Sequence, residues 1–289
     1  MSKKELKLPP TNKLFKEGIL SISYSQVDTF LSCPHKWQRH YVWGEVDEKK
    51  QEALSYGSVI HRTLEQYFLS SRTMSFQDVV SVLNAEWINE QIPFVSRESE
   101  KESYYDAAKF IKWMIDEASD LPEYALLKFA EIVGVEEDFK ILHPLPERVA
   151  INGAEYDEVQ IVGSIDLKVQ DERGDIHLID HKSGRTLFKK NKLLEDLQFP
   201  IYAAQTKLAN GEYPKSCTYN FTRKREFQSV AITQKRMDAA AEKLNAALLS
   251  MYSGDRSSQK GNPTPLCFWC PYGFYNNRTC TFSSRWKPA

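Results

Sequence analysis

"VGSIDLKVQDERGDIHLIDHKSG", Val162 to Gly184, reads as two strands around a turn, with acidic residues placed at the ends of runs built for burial. The runs Ile161 to Leu167 and Ile176 to Asp180 are dense in aliphatic and β-branched side chains. Between them lies Asp171-Glu172-Arg173-Gly174, whose glycine can take the positive φ of a tight turn. Side chains alternate across a strand, so Asp180 and Lys182 share one face while His181 points to the other. Pairing of the strands as a hairpin brings Asp166 near Asp180.

Two carboxylates in a partly dry site repel each other unless a cation or a shared proton compensates. A divalent metal resolves the conflict. Oxygen ligands completed by water suit Mg²⁺ or Mn²⁺, and a lysine beside them can orient a water or stabilise charge building on a phosphate. An Asp-x-Lys alone ordinarily marks a solvated hairpin rim. Here the flanking apolar density implies burial, and a buried carboxylate needs a partner.

Outward from the hairpin, the strands are expected near 159–169 and 175–182. A helix follows at about 195–209, with Leu197, Ile201, Ala204 and Leu208 on one face, then strands near 216–222 and 227–232 and a helix from Thr233 to about Met251. Upstream, short β-prone runs lie between Leu127 and Ile141. Amphipathic helices are expected near 76–90 and 103–118, and another over Gly57 to Leu69, where Ile60, Leu64 and Phe68 form a stripe beside His61 and Glu65. Ser25-Gln26-Val27-Asp28 resembles a capping box, and Pro34 ends that helix just after Cys33. Residues 1–20 read as a flexible lead-in. Helices first, then a sheet interrupted by helices, points to an α/β core with a helical N-terminal insertion.

The net charge of −1 excludes a uniformly basic protein, so any nucleic-acid contact must come from a local patch. Arg185, Lys189, Lys190 and Lys192, and then Arg223, Lys224 and Arg225, form two such groups, readable as a DNA track or as solvated loops. No run reaches the roughly 18 apolar residues of a membrane span, and a soluble cytoplasmic protein is expected. No Gly-x-x-x-x-Gly-Lys-Ser/Thr phosphate loop is present, which argues against a helicase within this chain.

The tail "GNPTPLCFWCPYGFYNNRTCTF", Gly261 to Phe282, is too rich in Pro, Gly and Asn for a regular element, so something else must hold it. Cys267, Cys270 and Cys280, with Cys33 far upstream, supply four thiolates, enough for tetrahedral zinc or a four-iron cluster. Spacing alone favours zinc. Cys217, within an apolar strand, reads as a buried free thiol. Phe188, Phe268, Trp269 and Tyr272 could stack on bases or shield a cluster.

In chain order the sequence carries Gly57 and His61, Gly163 to Asp166, Asp180 to Lys182, and Gln198 to Tyr202. This succession resembles the RecB-family nucleases of the PD-(D/E)xK superfamily, in the iron–sulfur branch that includes CRISPR-associated exonucleases and AddAB-type helicase-nucleases. The resemblance runs from about Ser23 to Cys280. It implies a restriction-endonuclease-like three-layer α/β/α core with a mixed sheet, forming a single nuclease domain over 21–289. Within it lie a helical part at about 57–120, a catalytic core at about 127–252 and a cysteine-rich tail at about 262–281.

It further implies that His61, Asp166, Asp180 and the backbone carbonyl of His181 hold Mg²⁺ or Mn²⁺, and that Lys182 positions or activates the attacking water. Gln198 and Tyr202 would brace the site and contact DNA, with Asp196 as support. Glu65 either fixes the His61 tautomer or faces solvent. Cysteines placed one before and three after the nuclease motifs reverse the preference to a structural 4Fe-4S cluster over zinc. The implied activity is metal-dependent exonucleolytic hydrolysis at single- or double-stranded DNA ends in recombination, repair or replication, with a separate helicase or recombination protein as a possible partner. A noncatalytic DNA-binding subunit and a zinc-stabilised nuclease are the alternatives.

Overall fold

Short strands β1 (Phe15–Lys16) and β2 (Ile19–Ser23) lead into helices α1 (Tyr24–Ser32) and α2 (Pro34–Trp37), the latter running on into a π-helical turn at Gln38–Val42. Helices α3 (Glu52–Leu69), α4 (Phe76–Glu90), α5 (Arg97–Asp116) and α6 (Pro122–Phe129) follow, then strands β3 (Glu131–Ile151), β4 (Ala154–Gln170) and β5 (Ile176–Lys182). The chain continues through α7 (Lys190–Glu195), α8 (Gln198–Asn210), β6 (Ser216–Phe221), β7 (Glu226–Val230) and α9 (Gln234–Tyr252), and a 3₁₀ turn spans Pro265–Phe268. The computed structural model describes residues 6–45, 51–117, 120–253, 260–273 and 280–282.

The strands form a seven-stranded mixed sheet in the order β1-β2-β4-β5-β6-β7, with β3 paired to β4. Strand β4 is parallel to β2 and antiparallel to β5, and β5 is parallel to β6. The expected hairpin is present: Leu167 faces Ile179, Gln170 faces Ile176, and Gly174 takes φ 85° in the turn. One step further, the register sets Asp166 opposite Asp180. The mixed α/β architecture agrees with the sequence reading.

Two compact units divide the chain, one of Met1–Glu48, Lys140–Gly163 and Met237–Ala289, the other of Lys49–Phe139 and Ser164–Arg236. The second unit has its own core, in which Val59, Ile60, Leu64 and Phe68 of α3 pack with Val79 and Leu83 of α4, Phe110 and Ile111 of α5, and Leu167 and Ile179 of the sheet. Each such side chain contributes about 1.5–3 kcal/mol by leaving water. That packing fixes the face of α3 bearing His61.

Three features differ from the sequence reading. Residues 6–20 are not a loose lead-in. Leu6 bridges to Ile151, Leu8 N–H donates to Asn152 Oδ1 at 2.8 Å, and Leu6, Leu8, Leu14 and Leu20 are buried, so leucines scattered among lysines find an apolar home. Strands β3 and β4 are longer than expected and meet at Asn152-Gly153, whose φ values of 49° and 84° suit a two-residue hairpin turn. Pro144 and Pro146 fall within β3, which lies off the main path of the sheet, where a missing N–H is tolerated. Ser23, not Ser25, caps α1, its hydroxyl accepting the Gln26 N–H.

Candidate active site

Gly57 and His61 lie one turn apart on α3. A Cβ on Gly57 would stand 3.0 Å from Ser183 Oγ, so the glycine lets the helix approach the chain leaving β5. The same approach brings His61 Nε2 to 2.9 Å from the His181 carbonyl oxygen. His61 Nδ1 faces two carboxylate oxygens, Glu136 Oε1 and Asp166 Oδ2, each at 3.5 Å. His61, Glu136 and Asp166 thus present three potential ligand atoms within 4.8 Å of one another.

Asp166 and Asp180 are both buried, at 8% and 2% exposure. Asp166 Oδ2 accepts the His181 backbone N–H at 2.7 Å. Asp180 Oδ1 accepts from Gln198 Nε2 at 2.6 Å, and Lys182 Nζ stands 2.6 Å from Asp180 Oδ2 while donating to Gln198 Oε1 at 2.8 Å. The lysine contact with Oδ2 is an ion pair. Oδ2 is a buried oxygen that accepts no hydrogen bond among the described residues. Gln198 Nε2 also donates to Tyr202 Oη at 2.9 Å, one helical turn along α8. The start of that helix is fixed by Asp196, whose Oδ1 accepts the Gln198 N–H at 2.8 Å and the Tyr219 hydroxyl at 3.1 Å.

Burial pulls His61 towards neutrality, but its hydrogen bond to Glu136 and the charges of Asp166, Asp180 and Glu136 outweigh this and push its pKa up to about 9. Burial, and then the Asp180 charge, push Asp166 up to about 8. Tyr202 is raised by burial and by the same two aspartates, so it remains a neutral hydroxyl. His181 behaves differently. Its ring stacks on Phe68 at 5.7 Å, its Nδ1 meets Asn220 Nδ2 at 3.0 Å, and burial lowers its pKa well below the usual histidine range. Its carbonyl and N–H make the hydrogen-bond-distance contacts with the His61 and Asp166 side chains, while its ring stands edge-on to the His61 ring at 6.2 Å.

Sequence reasoning missed Glu136, and the carboxylate beside His61 is this residue rather than Glu65. Glu136 takes φ 45° within β3. A non-glycine residue held there costs about 1–3 kcal/mol. The available signal was Glu136-Glu137-Asp138, an acidic run breaking the alternation between Ile132 and Phe139. The basic groups separate in kind. Arg223 is buried structure: its guanidinium lies 3.6 Å above the Tyr56 ring and pairs with Asp106 at 3.2 Å. Lys192 pairs with Asp196, whereas Lys189, Lys190, Lys224 and Arg225 are exposed.

The PD-(D/E)XK nuclease superfamily profile matches residues 21–275. The chain belongs to the PD-(D/E)XK nuclease superfamily. A crystal structure of a candidate exonuclease from Eubacterium rectale aligns with a TM-score of 0.53 at 13% identity, covering 87% of each chain, a likeness of fold. One subunit of an ATP-dependent helicase/deoxyribonuclease from Streptococcus uberis is 26% identical over 191 residues, which cover 63% of this chain and 16% of that protein. The chain therefore spans about a sixth of that relative's length.

PD-(D/E)XK nucleases generally use divalent metal ions, and the donor set here fits one. An imidazole, buried carboxylates and a carbonyl converge, and the buried Asp180 Oδ2, though paired with the Lys182 ammonium, accepts no hydrogen bond among the described residues. Among the described residues no helix is long and apolar enough to cross a membrane.

In the other unit, Cys33, Cys267, Cys270 and Cys280 line one cavity with His35 and Lys36. Cys33 ends α1 and precedes the Pro34 that opens α2, while Cys280 N–H donates to the Tyr272 carbonyl at 3.0 Å. A Cβ on Gly273 would meet the Cys267 carbonyl oxygen, so that wall tolerates only glycine. Burial raises the Cys270 thiol pKa, and the charges of Cys33 and Cys280 add to the rise. Cys217 is buried in β6 opposite Leu178 and Val230. Tyr272 is buried beneath Arg39, and Phe188 packs edge-on against Tyr219 and Phe221. Phe268 and Trp269 are exposed.

Proposed function

We propose that this protein is a metal-dependent DNA exonuclease, hydrolysing phosphodiester bonds at DNA ends in recombination, repair or replication. The observation carrying this reading is the clamp of Asp180, Lys182 and Gln198 opposite Asp166. His61, Asp166, Asp180 and the His181 carbonyl would hold Mg²⁺ or Mn²⁺, which when bound neutralises phosphate charge and lowers the pKa of water.

Lys182 is tethered by Asp180 and Gln198, so its ammonium is aimed before substrate arrives. That preorganisation suits it to orient a water for in-line attack or to stabilise charge on phosphate oxygens. Attack forms a bond from the water oxygen to phosphorus as one ester oxygen departs, with the water's proton passing to solvent and the leaving oxygen taking one back. Gln198 holds both Asp180 and Lys182 through opposite ends of one amide, and the neutral Tyr202 hydroxyl holds that amide in turn. The exposed Lys189, Lys190, Lys224 and Arg225 offer a backbone track for either single- or double-stranded ends. The similarity to one part of a helicase/deoxyribonuclease supports a separate helicase or recombination protein as partner.

The cysteine cavity is assigned to a structural 4Fe-4S cluster. The four cysteines line one cavity, and their order in the chain, one before and three after the nuclease motifs, supports a cluster over a single ion. Its role would be to clasp the α1–α2 junction to the tail across a very long loop.

The test is cleavage of linear single- and double-stranded DNA labelled at either end, beside closed circles, in Mg²⁺ or Mn²⁺. Label release from ends, lost in Asp180→Ala and Lys182→Ala, is expected. DNA binding without turnover in either metal would instead mark a noncatalytic subunit.

A further inference from the structure

The geometry points to Glu136 as a positioning residue of the cation site, one that holds the proton on His61 Nδ1 so that Nε2 is free to act as a ligand. The inference rests on the reading of this site as a divalent-cation site. Nε2 and the His181 carbonyl oxygen lie 2.9 Å apart. Adjacent corners of an octahedron with ligands at about 2.1 Å are separated by about 3.0 Å, so the two atoms fit neighbouring positions around one ion.

A neutral imidazole carries a single N–H. If Nε2 turns its lone pair to a cation, the remaining proton sits on Nδ1 and requires an acceptor. Two oxygens stand 3.5 Å from Nδ1. Asp166 Oδ2 is already committed to the His181 N–H at 2.7 Å. Glu136 is differently placed: Ser164 Oγ donates to its Oε2 at 3.4 Å, which turns Oε1 towards the ring. Ser164 lies two residues before Asp166 on the same face of β4, so one strand supplies both a proposed ligand and the residue orienting Glu136. The left-handed backbone of Glu136 interrupts the alternation of β3 where its side chain meets the ring. The result is a carboxylate–histidine–cation arrangement, which sets the tautomer and raises the basicity of the ligating nitrogen.

The experiment uses the full chain without DNA. Mn²⁺ affinity is measured by calorimetry, and the His61 tautomer by ¹⁵N-histidine NMR of the Mg²⁺-loaded protein. Wild type is expected to show His61 protonated at Nδ1. Glu136→Ala should weaken Mn²⁺ binding roughly 10- to 100-fold, and Glu136→Gln, which keeps an oxygen acceptor, should recover affinity to within about threefold of wild type. Wild-type affinity in Glu136→Ala overturns the assignment, as does Glu136→Gln binding as weakly as the alanine variant. Should Glu136→Ala fail to fold, the Nδ1 signature of wild type and Glu136→Gln decides, and a proton on Nε2 in the loaded protein overturns it. Wild type that binds Mn²⁺ with Nδ1 protonated but cuts no DNA sinks the nuclease reading and leaves this one standing. Wild type that binds no Mn²⁺ overturns this inference.

Discussion

Lys182 and Asp180, two residues apart on β5, are joined by a 2.6 Å ion pair and by a shared side chain, since Gln198 accepts from the lysine and donates to the aspartate. The lysine is therefore held at both its charge and its donor geometry. Removing Lys182 as alanine should lower single-turnover cleavage by about 10²–10³-fold, the range for losing one preorganised donor at developing charge. Gln198→Ala leaves both charges in place but unaligned, and should cost roughly 10–100-fold, as for residues that orient a metal site's ligands. Equal losses in the two variants would show that alignment, not charge, is what Lys182 supplies. Undiminished cleavage in Lys182→Ala would remove it from the mechanism.

The cation-free protein should lose stability as pH rises. Asp166 has its pKa pushed up to about 8 and His61 up to about 9, against roughly 3.9 and 6.5 for the unfolded chain. Between each pair of values the folded state holds protons that the unfolded state has released, so unfolding becomes easier with increasing pH. The contributions are fully present below about pH 4 and gone above about pH 9. Divalent ions replace those protons, so Mg²⁺ should raise the melting temperature more at pH 8.5 than at pH 6. Thermal melts with and without Mg²⁺ across this range check the sign. In Asp166→Asn the cation-free pH slope should flatten, and an unchanged slope would mean that other groups carry it.

Legibility in the sequence followed the range of each interaction. The helix expected at 76–90 is α4, since Ser75 and Asp78 form a capping box and the apolar period is regular. The hairpin, the Asp180 and Lys182 pairing and the Gln198 to Tyr202 turn were equally readable, because each depends on neighbours in the chain. Glu136 was not. Its role arises from β3 crossing to His61 and Ser164, and strand alternation assigns it no face once the backbone turns left-handed. Residues 6–20 misled for a related reason, their leucines being buried by partners some 144 positions away.

Arg223 illustrates how a charge can mislead and yields a prediction. Its exposed neighbours suggested a DNA contact, yet its side chain is 5% exposed, paired with Asp106 and laid over Tyr56. Arg223→Ala should cost about 2 kcal/mol of folding stability, less than a fully buried pair because Asp106 keeps access to water. Lys189→Ala with Lys190→Ala should leave the melting temperature within a degree or two but weaken DNA binding and reduce its salt dependence, by about one unit of slope for each lost phosphate contact. Denaturation curves and binding isotherms at several salt concentrations separate the two. A melting temperature untouched by Arg223→Ala would contradict the structural assignment.

The cysteines give the last separation. Four thiols line one cavity while Cys217 lies buried between Leu178 and Val230 in the sheet. Anaerobically purified wild type should be brown, with absorbance near about 400 nm and four irons per chain, as a cuboidal cluster requires. Cys33→Ser should bleach it and lower stability, because the α1–α2 junction would lose its attachment to the tail. Cys217→Ala should keep the full iron content and lose only the packing of one sulfur. Cys280 is the sharpest case, since its nine-residue separation from Cys270 is bridged by the Tyr272 carbonyl bond that returns it to the cavity. Cys280→Ser should therefore lose iron as Cys33→Ser does. A colourless wild type carrying one zinc would replace the cluster with a single ion.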